Sequence, residues 1–138
     1  MDLSNINFLA VAVAGIASFA LGALWYSPVL FSKIWQREVG LSEESMKNTN
    51  VGRIFGSSFV LMLIMSLGMA MIFRDHTEET FTWLSGLKHG LFFGVVFAAT
   101  SMGINYLYQR KSLTLWAIDS GYQVLFLGIA GAILGAWH

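Results

Sequence analysis

Four stretches of this 138-residue chain carry no charged side chain: Leu3–Ser32, Ile54–Phe73, Gly90–Gln109 and Ser120–Trp137, which are 30, 20, 20 and 18 residues long. A helix needs about 20 apolar residues, each rising about 1.5 Å, to cross the hydrocarbon core of a bilayer. Lipid offers no water to a broken backbone, so each stretch reads as a continuous helix. The expected fold is an all-α membrane protein, a compact bundle of four transmembrane helices over about 5–28, 51–73, 80–109 and 113–137. One integral-membrane domain then fills residues 1–138.

Composition closes off the soluble alternatives. Hydrophobic residues make up 56% and charged residues 12%, where a soluble domain has about a quarter of its residues charged. Net charge is zero, so there is no basic stripe for nucleic acid. Cysteine is absent, which excludes disulfides and thiolate metal sites within the chain. The start Met1-Asp2-Leu3-Ser4-Asn5 lacks the basic residues of a secretory signal, and the first apolar run is too long for a signal core. The first helix is expected to remain in the mature protein.

Charge between the spans sets an orientation. Lys33, Arg37, Lys47 and Arg53 follow the first span and Arg110 and Lys111 follow the third, which puts six of eight basic residues on one side. Arg74 and Lys88 are on the other. Basic residues are retained in the cytoplasm, so both termini are expected outside.

Trp25 and Tyr26 end the first span at the depth of an interfacial aromatic belt, with membrane lipids as neighbours, and Ser27-Pro28 should terminate or bend the helix. Val29, Leu30, Phe31, Ile34 and Trp35, mixed with Lys33, Gln36 and Arg37, give a short amphipathic segment along the cytoplasmic surface, stopped at Gly40. Ser42 before Glu43 and Glu44 reads as a helix start. Asp75 and Glu78 have the spacing of a capping box before the third helix, and Gln109–Ser112 reads as a tight hairpin into the fourth.

Small residues recur every four positions. Ala10, Ala14, Ser18 and Gly22 share one face of the first helix, and Gly86, Gly90, Gly94 and Ala98 one face of the third. Gly131 and Gly135 repeat the spacing in the fourth, and Gly52 and Gly56 lead into the second. Such ridges let backbones approach closely where lipid supplies no hydrophobic drive for association. They serve either the bundle itself or contact with another protomer, and a homo-oligomer or a complex with another membrane protein is the expected assembly.

Several of these residues fall in longer motifs. Gly22-Ala-Leu-Trp-Tyr-Ser-Pro-Val-Leu-Phe31 with Trp35, Asn105-Tyr-Leu-Tyr108, Leu115-Trp-Ala-Ile-Asp-Ser-Gly-Tyr122 and Gly131-Ala-Ile-Leu-Gly-Ala-Trp137 resemble the successive motifs of domain-of-unknown-function family 1761, over nearly the whole chain. The resemblance implies a small four-helix protein of the bacterial cytoplasmic membrane. It implies no activity.

Asp119 is the one carboxylate inside an uncharged span's helix, seven residues after Ser112 and so about 10 Å along it. A charged side chain at mid-membrane costs about 2.5–3.5 kcal/mol, so it should face the bundle or a wet pocket. Gln123 and Tyr122 lie within a turn of it, and folding the hairpin brings Ser101 and Met102 to its depth, with Asn105 and Tyr106 one turn nearer the cytoplasm. Asp119 is then either a structural polar clamp or a proton- or ligand-coupled group. His76 with Asp75, Glu78 and Glu79 is a weak metal candidate in a polar turn, and His89 reads as an interfacial residue. No histidine–acid pairing accompanies a serine or threonine, so no catalytic residue, metal or cofactor is assigned. Two classes remain: an associating membrane protein with a small-solute or proton-linked pathway lined by Asp119, Asn105 and Gln123, or a membrane enzyme or binding protein acting on lipid headgroups near Trp25, Tyr26, Ser27 and Pro28.

Overall fold

The structure, a computed structural model, describes residues 3–76 and 80–138. The first span is α1, Phe8–Trp25. Two short helices follow, α2 (Ser32–Val39) and α3 (Glu43–Lys47), and then the second span, α4 (Val51–Phe73). The third span is one continuous helix in three parts: α5 (Trp83–Phe93), a π-helical stretch Gly94–Ala99, and α6 (Thr100–Tyr108). The fourth is α7, Leu113–Ala136. All four spans are long and apolar enough to cross a membrane, and they pack against one another.

Local chemistry sets the ends of these helices. The Asn7, Asn50 and Ser112 side chains accept hydrogen bonds from the amides of Ala10, Arg53 and Leu115, capping α1, α4 and α7. Ser42 does the same for α3 through the Ser45 amide. Gly40 ends α2 in the left-handed conformation, at φ 78°, which suits a residue without Cβ. The first helix is shorter than expected at both ends, because Asn7 caps it and the turn before Pro28 begins at Tyr26. The third begins at Trp83 rather than near residue 80. Its expected acidic cap includes Glu78, outside the described residues.

α7 is the centre of the bundle. It is the most buried of the four spans, and α1, α4 and α5 all pack against it. The closest approach is to α5. A Cβ added at Gly86 would lie 1.9 Å from the carbonyl oxygen of Gly131, and one at Gly90 would lie 2.0 Å from that of Leu127. At Gly135 it would meet the Thr82 carbonyl oxygen at 2.6 Å, and at Gly94 the Val124 Cα at 2.6 Å. The two backbones therefore touch, and such contact replaces the hydrophobic drive that lipid does not supply. On α1, Ala10, Ala14 and Ser18 are fully buried. The buried members of both small-residue ridges thus pack within the chain. Gly52 and Gly56 are exposed and meet no other helix.

The second and third spans meet at the end of the bundle that carries the chain termini. There all three histidines surround Phe81, with ring centroids of His76, His89 and His138 at 4.6, 5.4 and 5.8 Å, and Phe73 of α4 lies 5.8 Å from His89. His76 turns its Nδ1 to the Phe73 carbonyl at 3.3 Å, while Asp75 pairs with Arg74 at 3.3 Å. Glu78 and Glu79 of the candidate metal turn lie outside the described residues, and no group of three metal-ligating side chains occurs among those described. Toward the opposite, basic end, α4 and α6 lean apart over α7 and leave a cleft between them.

The α5–α7 contact is directly testable. Gly90→Ala drives a methyl into a backbone carbonyl that cannot move alone, so it is expected to destabilise by about 3 kcal/mol or more, measured as thermal unfolding in lipid nanodiscs. Gly56→Ala, with open space around it, is expected to be neutral or stabilising by up to about 1 kcal/mol.

Candidate functional site

Asp119 sits on α7 one-quarter of the way from the basic end and is 9% exposed. Both carboxyl oxygens are engaged by phenols from other helices. Tyr26 donates to Oδ1 at 2.7 Å, and Tyr106 donates to Oδ2 at 2.6 Å. Tyr26 comes from the C-cap of α1 and Tyr106 from α6, so the clamp ties the first, third and fourth spans together.

Further hydrogen bonds hold the clamp in position. The Trp25 indole donates to the Ile118 carbonyl at 2.9 Å, fixing the end of α1 one residue from Asp119. The Tyr122 hydroxyl donates to the Ser18 carbonyl at 3.1 Å, with Met62 Sδ at 3.7 Å as a second acceptor. The Tyr26 ring stands edge-on to Tyr122 at 5.5 Å and to Trp35 of α2 at 5.9 Å. The amphipathic segment thus folds back to cover the clamp. Two glycines make room for these rings: a Cβ at Gly22 would lie 3.0 Å from the Tyr122 hydroxyl, and one at Gly121 would lie 3.2 Å from Trp25.

The π-helical stretch decides which face of α6 meets Asp119. Gly86, Gly90 and Gly94 point at α7, and an α-helix would continue that face through Ala98, Ser101 and Asn105. The π turn adds one residue, rotating everything after it by about 100°. Ala99 is buried instead, Met102 and Tyr106 turn inward, and Ser101 and Asn105 are exposed. Of the side chains expected around Asp119, the structure brings Tyr122, Gln123, Met102 and Tyr106 to it and leaves Asn105 and Ser101 outside. The carbonyls loosened by the wide turn are satisfied by side chains: Trp116 donates its indole N–H to the Ala99 oxygen at 2.9 Å, and the Thr100 hydroxyl bonds the Val96 oxygen. A Cβ at Gly103 would lie 3.2 Å from the Trp116 indole nitrogen.

Asp119 and Gln123 open onto the cleft between α4 and α6. Its volume is about 310 Å³, and its walls are Ser58, Leu61, Met62 and Met65 of α4, Met102 of α6, and Tyr122 and Phe126 of α7, with Tyr26 at the basic end. No Lys, Arg or His is among the lining residues.

Sequence reasoning placed Tyr26 at the lipid interface and passed over Tyr106 as a partner. One signal was available. A carboxyl inside a span requires donors, and the phenols of Tyr26 and Tyr106 are the hydroxyls at its depth with the longest reach. The 93-residue separation of Tyr26 from Asp119 hides that relation from any local pattern.

Removal of the acceptor separates hydrogen bonding from burial. Asp119→Leu leaves two phenols without a partner and is expected to destabilise by about 1–3 kcal/mol in nanodiscs. Asp119→Asn, which keeps an acceptor oxygen in the same shape, is expected to lose less. An increase in melting temperature for Asp119→Leu would show that the carboxyl gains nothing from the clamp.

Comparison with known proteins places the chain in a family without assigning it an activity. No curated protein and no solved structure matches it. The sequence profile described as "protein of unknown function (DUF1761)" matches residues 9–135. All but the first residue of the first span and the last of the fourth fall within that match, as do the Trp25-Tyr26 corner and Asp119, and the chain belongs to the DUF1761 family.

Proposed function

We propose that this membrane protein binds a small solute in the cleft between α4 and α6, with the Asp119 carboxyl as the polar end of the site. The observation that carries this reading is the pairing of a cleft of about 310 Å³ with a doubly clamped carboxyl on its wall. Its size is at the lower end of ordinary ligand pockets, and its mostly apolar lining with a few convergent polar groups is their usual composition.

A carboxyl within a span carries a cost that contact with a polar solute would offset. That cost is about 2.5–3.5 kcal/mol for a charged Asp at the centre of a span and is smaller for Asp119, a quarter of the way along α7. Side-chain hydrogen bonds between membrane helices average about 0.6 kcal/mol each, so two phenols offset only part of it. The headgroup-directed alternative is weaker, because Trp25 and Tyr26 spend their polar ends inside the bundle on Ile118 and Asp119. The same proposal puts the basic end, with Lys33, Arg37, Lys47, Arg53, Arg110 and Lys111, in the cytoplasm.

Two experiments test these statements. Native mass spectrometry of protein released from its own membranes is expected to show a co-purified small molecule that is lost from Ser58→Trp, which fills the cleft. An identical adduct pattern for both proteins would remove the basis for a cleft ligand. For orientation, the chain has no native cysteine, so single cysteines at Ser45, Thr80 and Ser112 report cleanly. Thr80→Cys is expected to react with an impermeant reagent on intact cells while the other two stay protected. The reverse pattern would invert the topology.

A further inference from the structure

The three phenols around Asp119 have spent their hydrogens. The hydrogens of the Tyr26 and Tyr106 phenols are spent on the carboxyl, and that of Tyr122 is spent on the Ser18 carbonyl. Each phenol oxygen therefore has only lone pairs left to offer, as does each carboxyl oxygen. Ser58 and Gln123 are the other polar side chains in the lining, and no basic residue joins them. An anion would find the Ser58 hydroxyl and the Gln123 amide as donors, but no positive charge and a carboxyl beside it, while a neutral acceptor would leave that carboxyl unused. A group that brings several N–H donors and a positive charge finds the Asp119 carboxyl and, among the lining residues, the phenols of Tyr26 and Tyr122.

The rest of the cleft is apolar and adaptable. Leu61, Met62, Met65, Met102 and Phe126 supply its volume, and thioether side chains conform to varied apolar shapes. Its mouth is lateral: α4 packs on α1 and α7, the third span packs on α7, and the gap between α4 and α6 faces the surrounding hydrocarbon. A ligand entering that way partitions into lipid first.

Resting on the solute-binding reading above, we infer that the cleft's ligand is a lipophilic primary amine, whose ammonium head docks on Asp119 and whose apolar body fills the methionine-lined space. An aminophospholipid shares the ammonium, but its phosphate would enter a cleft without a basic partner, and the free amine is the better match.

The test uses the intact protein in phosphatidylcholine nanodiscs with three probes of one chain length: octylamine, octanol and octanoate. Native mass spectrometry at neutral pH is expected to show one octylamine bound per chain, roughly tenfold or more tighter than either other probe, equivalent to about 1.4 kcal/mol or more. Asp119→Asn is expected to lose that preference while keeping the wild-type unfolding temperature to within a few degrees. Should that variant fail to fold, Met102→Trp, which blocks the cleft without touching the carboxyl, is expected to abolish octylamine binding. Equal binding of octanol or octanoate would overturn the assignment, as would octylamine affinity unchanged in Asp119→Asn or, where that variant does not fold, in Met102→Trp. Loss of octylamine on transfer to phosphatidylethanolamine nanodiscs would assign the site to the lipid headgroup and overturn it as well. Failure of octylamine to bind, with a co-purified adduct still lost from Ser58→Trp, would reject the amine while leaving the solute-binding reading intact.

Discussion

The bundle depends on backbone contact between α5 and α7. In water, two apolar helices are driven together by the surface they bury; in lipid that drive is absent, and association has to come from dispersion and close polar contact. Gly86, Gly90, Gly94, Gly131 and Gly135 supply it by removing the side chains that would hold the helices apart. The Cα hydrogens of Gly86, Gly90, Gly131 and Gly135 face carbonyl oxygens across the interface, a weak attraction that recurs along its length. With α5 fixed on one side and α1 and α4 on the others, α7 becomes an interior helix, and only an interior helix provides a place for Asp119 away from lipid.

The clamp around Asp119 follows from that arrangement rather than creating it. Tyr26 is delivered by the end of α1, where Trp25 is bonded to the neighbouring turn of α7. Tyr106 is delivered by α6, which is itself held by Trp116 across the helix pair. Each phenol is thus positioned by an indole bonded to a main-chain carbonyl. Rings on glycine-made seats are rigid, and rigid donors hold a carboxyl in one geometry. The cleft beside it is built oppositely, from methionines and leucine on helices that do not close over it.

Much of the fold was legible in the sequence, and the reasons are specific. Uncharged runs locate helices in a membrane protein because lipid tolerates no alternative, so the four spans were fixed to within a few residues. Gly40, Ser42 and Ser112 act as caps where their chemistry says they should. The small-residue ridges were visible, but a spacing of four does not say which helix lies opposite, and α7 turned out to fill them. The site was harder. Asp119 stands out because a carboxyl is rare at that depth, and Tyr122 and Gln123 follow by helical proximity. Tyr26 was hidden by sequence distance, and its aromatic neighbours imitate an interfacial belt. Asn105 and Ser101 were expected beside Asp119 from depth along the hairpin, and depth does not say which face of a helix turns inward; the regular period fails at Gly94–Ala99, where no proline or charge marks the change.

The π-helical stretch makes the polar chemistry of the site a matter of helical winding. If the same residues wound as an ordinary helix, Tyr106 would turn away from Asp119 and Asn105 would come round to its place. A phenol that only donates to the carboxyl would be exchanged for an amide that both donates and accepts, with no substitution at either position. Within this fold, a change of helical winding and a change of binding chemistry are the same event. Loss of one residue from the stretch would instead remove the wide turn and leave Tyr106 facing Asp119.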